Sequence, residues 1–241
     1  MNLSFLKLRV ADDAWVLIDR TEPGASAEPD WSSIARELCH PARGAGAEGL
    51  VVVERLERGF SARTWTRAGL ACPLYPVPVL CAARWLYDSG RAAGDGATIA
   101  GREGDREALV LDPRNFGVIL GQAELEPGPG PVPVRLYGAD LRVLMADGAL
   151  PGRRKPEPGL VRAGIVSRQT VRVRRGGVDA MLAAGAVLAA AQAADYTDRD
   201  AAAVMPGGTL AVQLADDDHV FVGAEAAYSF RGEFWLAEND E

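Results

Sequence analysis

The chain has 241 residues, 48% of them hydrophobic and 24% charged, with 27 glycines and 15 prolines, a composition that fits an ordinary globular protein rich in turns and not a disordered or fibrous one. A net charge of −7, with Arg153, Arg154 and Lys155 as the longest basic cluster, argues against a nucleic-acid or anionic-membrane footprint and leaves a small molecule or a protein as partner. Three cysteines without a CxxC and only His40 and His219 beside them disfavour a disulfide framework or a zinc site, and no segment approaches the roughly 20 apolar residues of a membrane span, so a reduced, soluble, cytoplasmic protein is expected.

Asn2 to Val10 alternates Leu3, Phe5, Leu8 and Val10 with Ser4, Lys7 and Arg9, and Ala14 to Ile18 is a second apolar run after Asp12 and Asp13, the pattern of a hairpin. Pro23 to Pro29 reads as a polar loop. Asp30 or Ser32 caps a helix over Trp31 to Cys39 with Ile34, Ala35 and Leu38 on one side. The Gly-rich Arg43 to Gly49 leads into a β-branched strand, Leu50 to Glu54, and another strand covers Phe60 to Thr66. The segment ACPLYPVPVLCAARWL, Ala71 to Leu86, reads as a loop punctuated by Pro73, Pro76 and Pro78 that opens a buried helix reaching Tyr87. Helix starts offer unpaired N–H groups to anions, but proline has none, which closes that use here. Gly90 to Gly96 reads as a turn, with strands around Ala97 to Ala100, Ala108 to Leu111 and Gly117 to Gly121 after it.

EPGPGPVP, Glu126 to Pro133, reads as a linker, since alternating prolines do not pair as a central strand. A domain boundary beside it gives one domain over 1–122 and a second over 123–228. The order of elements then returns: strands Val134 to Tyr137 and Arg142 to Met145, a basic loop Gly152 to Pro158, strands Leu160 to Val166 and Thr170 to Arg174. An alanine-rich helix, Asp179 to Ala194, follows Gly176 and Gly177, its first acid suited to the helix dipole. Pro206 to Gly208 turns into a strand Thr209 to Leu214, Asp216 to Asp218 turns again, and His219 to Val222 and Ser229 to Leu236 are final strands.

FLKLRVADDAWVLID, GAGAEGLVVV, CAARWL, TVRVRRGGVDAMLAAGAVLAAAQAA, and MPGGTLAVQL followed by GAEAAYSFRGEF resemble, in order and spacing, the diaminopimelate epimerases over nearly the whole chain. The resemblance implies an α/β (α+β) fold of two pseudo-symmetric domains, each a curved sheet around a central helix. It also implies an active site in the cleft between them, no cofactor, a homodimer, and a last strand, about 229–241, that returns to the first domain. The family's reaction uses two cysteines at helix starts, one thiolate removing the Cα proton and one thiol delivering it from the other side. Aligned on Cys81, the family's CGNG loop falls at Tyr75, Pro76, Val77 and Pro78, which puts Tyr75 at the first thiol position. Aligned on Arg175, Gly176 and Asp179, the second thiol position is Ala183, and no cysteine follows Cys81. Asp13 and Thr66 stand where the family has asparagines, the asparagine pair of the second domain falls near Val161 and Ala163, and Asp179 replaces a glutamate, while Arg175 is kept. Racemisation and α-amino-acid binding are therefore expected to be absent.

On this alignment Asp13 and Asp179 become the candidate acid/base pair, one from each domain, where burial raises a carboxyl pKa; a turn aspartate and a helix-start acid are the plainer readings. Tyr75 can serve as acid or donor, a phenol of pKa about 10 being a poor base at neutral pH, or can simply pack on the prolines. Arg175 can hold a carboxylate or enolate oxygen or pair with Asp179. Trp15, Trp65 and Thr66 flank the inferred cleft and suit an apolar substrate. Ala183 borders a second helix start where Ala184, Gly185 and Ala186 keep N–H groups, so half of an anion site is expected to survive. Cys72 can be a displaced thiol nucleophile or, more plainly, a buried small hydrophobe, Cys81 reads as core and His40 as structural. Two functions remain open. One is a cofactor-independent isomerase or cyclase of a hydrophobic small-molecule intermediate in specialised (natural-product) biosynthesis. The other is a catalytically inactive relative that binds a ligand or a protein.

Overall fold

The computed structural model describes residues 2–22, 28–92, 94–126, 128, 130–148, 150 and 157–235. Arg153, Arg154 and Lys155 of the expected basic loop, Pro23 at the start of the polar loop, Pro127 and Pro129 of the expected linker, and Leu236 lie outside them. The chain divides into two compact units, Met1–Arg114 with Ala226–Glu241, and Asn115–Glu225.

The first unit starts with β1 (Asn2–Val10) and β2 (Asp13–Arg20), an antiparallel hairpin, followed by α1 (Trp31–Leu38), β3 (Gly49–Arg55), β4 (Phe60–Thr66), β5 (Ala71–Cys72), α2 (Pro76–Asp88), β6 (Gly96–Gly101) and β7 (Gly104–Val110). β2 and β3 are parallel, β3 and β4 antiparallel, and the far edge of β4 is shared between β5 and the parallel β6, which pairs with β7. Register puts Val16, Leu50 and Trp65 in one row, on the face where Trp31, Ile34 and Leu38 of α1 pack with Phe5, Ile18 and Val52. The next row, Trp15, Gly49 and Thr66, belongs to the opposite face, because side chains alternate along a strand. α2 packs against β1, β2, β3, β4, β6 and β7, leaving β3 covered on both sides, which explains its unbroken apolar run.

α2 begins earlier than its sequence suggests: Tyr75 is the N-cap, and Pro76 and Pro78 lie in the first helical turn, not in a preceding loop. First-turn N–H groups have no intrahelical partner, so proline loses nothing there and its φ is already helical.

The second unit contains β8 (Asn115–Gln122), β9 (Glu124–Leu125), β10 (Val132–Leu136), β11 (Ala139–Asp147), β12 (Leu160–Ser167), β13 (Thr170–Arg174), α3 (Ala180–Ala193), β14 (Asp200–Met205), β15 (Gly208–Leu214) and β16 (His219–Glu225). Each of β10 to β15 pairs with the next, β16 pairs with β8, and β10 pairs with β9. Only Ala123 separates β8 from β9, so the sheet closes on itself around α3, whose residues Ala180 to Ala191 are all buried. The enclosure accounts for the alanines. A Cβ on Gly185 would come within 2.8 Å of Leu120 Cδ1 and 3.0 Å of Val220 Cγ1.

Contrary to the linker reading, Pro133 is in a strand, opposite Arg142; it precedes the stretch paired with β9, where a missing N–H is tolerated. β14 is an additional strand, its sequence DAAAVM carrying little strand propensity, held between β13 and β15. β17 (Ala227–Trp235) returns to the first unit and pairs antiparallel with β1. Among the described residues, no helix is long and apolar enough to cross a membrane.

Candidate functional site

Asp13 is the first residue of β2 and only 2% exposed. The indole of Trp15, two residues on and on the same face, donates Nε1–H to Asp13 Oδ1 at 3.2 Å. Trp15 lies on Gly49 because nothing larger fits: an added Cβ would stand 2.5 Å from Trp15 Cζ3 and 2.3 Å from the Trp65 carbonyl oxygen. Thr66 shares the row, and its hydroxyl accepts the Leu70 N–H at 3.3 Å across the turn after β4.

Trp65 is placed elsewhere. It faces α1, its ring 6.1 Å from that of Trp31 and covered by the Arg63 guanidinium at 5.5 Å. Trp15 and Trp65 therefore occupy opposite faces of the sheet and do not line one pocket, since adjacent rows of a strand point apart.

At the start of α2, Tyr75 is half-buried and makes no side-chain cap bond; its N–H donates to Pro73 O at 2.9 Å. With that N–H committed and none on Pro76 or Pro78, this helix start lacks the convergent donors of an anion cradle. Thr64, which the sequence did not single out, fixes the approach to the helix. It is buried, and its hydroxyl donates to Cys72 O at 2.8 Å.

At the start of α3 the expectation fails in a different way. Asp179 is the N-cap, its Oδ1 accepting from Met181 N at 2.9 Å and Leu182 N at 3.1 Å, and its carbonyl accepting from Ala183 N at 2.9 Å. Ala183 is a fully buried helix residue, and Ala184, Gly185 and Ala186 lie deeper still, where amides bond within the helix. The helix starts at Ala180, so the surviving amide cradle expected at Ala184 to Ala186 does not exist, and the Asp179 carboxylate takes the place an external anion would fill. Arg175 turns back over the same loop, Nη1 donating to Val178 O at 3.0 Å.

The remaining thiols are not activated. Burial, the largest influence, pushes Cys72 up, with the charge of Glu103 adding to it and a hydrogen bond with Thr64 opposing it. Burial pushes Cys39 to about 12, and Cys81 is fully buried. In native protein at about pH 7, Cys72 is expected to react with a thiol-specific disulfide reagent more slowly than free cysteine, and Cys39 only after denaturation. A thiol that labels faster than free cysteine would contradict this.

One feature was invisible in the sequence: a cavity of about 460 Å³ where β5 and β6 part along β4, lined by Ala62, Trp65, Cys72, Leu74, Arg102 and Glu103. It depends on the parallel pairing of β4 with β6, which no local motif announces. Among the described residues no cluster of His, Cys, Asp and Glu is arranged to hold a metal ion.

No protein-family model matches the chain. A diaminopimelate epimerase from Desulfitobacterium hafniense is 25% identical over 276 aligned positions, covering 95% of this chain and 97% of the relative. Among solved structures, a phenazine biosynthesis PhzC/PhzF protein from Clostridium difficile superposes with a TM-score of 0.69 at 13% identity, covering 97% of this chain and 100% of the other. A predicted epimerase from Pseudomonas aeruginosa superposes with a TM-score of 0.67 at 17% identity, covering 98% and 100%. At those identities the superpositions establish the fold.

Proposed function

We propose that this chain, which has the diaminopimelate epimerase-like fold and fits a divergent member of that family, is an isomerase of a small apolar molecule and not an epimerase of amino acids. Asp13 carries the reading: a carboxylate almost wholly buried at a strand start, with its orientation fixed by the Trp15 indole. Such a group is suited to take a proton from carbon and return it, as general base and then general acid. Tyr75, the phenol at the start of α2, is the proposed donor to the substrate, with Trp15 and Thr66 on the Asp13 face of the sheet as its walls. Arg175 and Asp179 keep a proposed orienting role, limited by their own bonds to Val178 O and to the helix start.

Loss of both thiol positions and closure of both helix starts to anions speak against an α-amino acid, whose carboxylate needs such donors. The solved structures named for phenazine biosynthesis lend support to a place in specialised biosynthesis; the isomerisation or cyclisation proposed here uses the side chains named above and needs no cofactor. The second reading, a binding protein without turnover, is favoured by Asp179, whose carboxylate is committed to capping α3.

Two exchange experiments in D₂O test this. Diaminopimelate incubated with the protein is expected to take up no deuterium, and uptake at its α-carbon would overturn the substrate assignment. In a small-molecule extract of the source organism, wild type is expected to add one deuterium to at least one apolar metabolite, and Asp13→Asn to do so about 100-fold more slowly or worse. Ligand-induced thermal stabilisation by the extract, with no mass shift from wild type, would favour the binding protein.

A further inference from the structure

The cavity of about 460 Å³ beside β4 has no part in the catalytic reading, since Asp13, Trp15, Thr66 and Tyr75 are not among its lining residues. On its outer edge β4 pairs with β6 at Phe60 and Ser61 and with β5 at Thr64 and Trp65. At Ala62 and Arg63, between them, no strand lies alongside among the described residues, and the cavity follows that gap in the ladder. Its wall is apolar and fixed. Ala62 and Leu74 are buried, and a Cβ on Gly101 would stand 3.2 Å from Leu74 Cδ2, so the turn between β6 and β7 packs directly on Leu74. The Thr64 hydroxyl holds the Cys72 carbonyl at 2.8 Å and pins the opposite side.

Three charged side chains border the cavity, and they differ in what they already hold. Arg63 is committed: Nε and Nη2 donate to the Glu54 carboxylate at 3.0 and 2.8 Å, and Nη1 lies 2.7 Å from Glu28 Oε1. Arg102 and Glu103, the tip of the turn between β6 and β7, are exposed, and neither forms an ion pair with a described residue. Glu103 leans inward, Oε2 standing 3.5 Å from Leu74 N and its charge acting on the Cys72 thiol. A cation and an anion side by side, each without a counter-ion, above an apolar wall complement a molecule that carries both charges next to an apolar body. A plain acid would meet Glu103 and a plain amine would meet Arg102, like charge against like. Pockets of about 300–1,000 Å³ hold small ligands, which leaves room for an aromatic ring.

We propose that this cavity binds a free apolar α-amino acid of aromatic size, its carboxylate on Arg102, its ammonium on Glu103 and its side chain against Ala62 and Leu74. The site is distinct from the Asp13 face and the two helix starts, whose closure to anions argues against an amino acid only as the substrate. It does not depend on the proposed reaction.

The probes are L-phenylalanine, phenylpropionate, which lacks the ammonium, and phenethylamine, which lacks the carboxylate. Calorimetric titration of wild type should find L-phenylalanine about tenfold tighter than either analogue, because each analogue loses a charge-assisted hydrogen bond. Arg102→Gln should weaken L-phenylalanine about tenfold and bring it level with phenethylamine, and Glu103→Gln should bring it level with phenylpropionate. Both residues are exposed on a turn, so neither change threatens the fold. Wild type alone reports the location: Cys39 and Cys81 are buried and Cys72 is not, so L-phenylalanine should slow the reaction of Cys72 with a thiol-specific disulfide reagent, and phenethylamine at the same concentration should not. No protection of Cys72, equal affinity for the three probes, or an affinity for L-phenylalanine unchanged in either variant would each overturn the assignment.

Discussion

Gly49→Ala is expected to be strongly destabilising, far more so than a glycine substitution at an open turn. The added methyl would sit 2.3 Å from the Trp65 carbonyl oxygen and 2.5 Å from the Trp15 ring. The carbonyl belongs to the neighbouring strand of an antiparallel ladder and cannot retreat without opening the β3–β4 pairing. The indole is buried against the sheet and tied to Asp13, so it has no ready alternative rotamer. Overpacking in a core costs about 1–3 kcal/mol when side chains absorb it; with backbone on one side the cost should reach the top of that range or exceed it. Against a total stability of about 5–15 kcal/mol that is a large fraction. Denaturant unfolding or soluble yield measures the effect. Gly59→Ala is the control, with no atom within 4 Å of its Cβ and only its positive φ of 84° to resist it, for a cost of about 1 kcal/mol. Equal midpoints for the two variants would refute the argument.

Asp179→Ala should cost about 2 kcal/mol and Asp179→Asn only a few tenths. The alanine removes the acceptor for two amides at the start of a helix whose first residues are fully buried, so water cannot replace it. Asparagine retains an oxygen in the same place, and both are preferred caps. The pair of variants also separates roles. If Asp179 only caps, the asparagine variant keeps stability and any turnover together. If it carries a proton, the same variant keeps stability and loses turnover. Thermal unfolding and the deuterium assay read the two effects independently.

The first hairpin, the Asp30 cap of α1 and the strand Phe60 to Thr66 were legible because each is encoded locally, by alternation, by a side-chain oxygen that accepts from Ser32 N and Ser33 N, and by β-propensity. β14 was not legible, because its alanines form a strand only between β13 and β15. The start of α2 was misplaced because proline argues equally for a loop and for a first helical turn, and only tertiary packing decides. The order of landmarks carried the fold, but site residues transferred by alignment fared unevenly. Trp65 shares its strand with Thr66, and one step along a strand reverses the face, so an alignment that is right about position says nothing of direction. Ala183 and Gly185 show a related limit on a helix: its start was read within one residue, but the aligned positions lie a full turn inside it, where amides bond within the helix.

The closed ring of the second unit bears on how the chain folds. Its last ladder sets Asn115 against Glu225 and Gln122 against His219, partners at the two ends of the unit's sequence. Closing such distant segments costs loop entropy before any contact repays it, which slows folding. α3 lies inside the ring, so its amides can meet solvent only when the ladder opens. Hydrogen exchange along α3 should therefore proceed as one cooperative event, at the rate set by global opening of that unit.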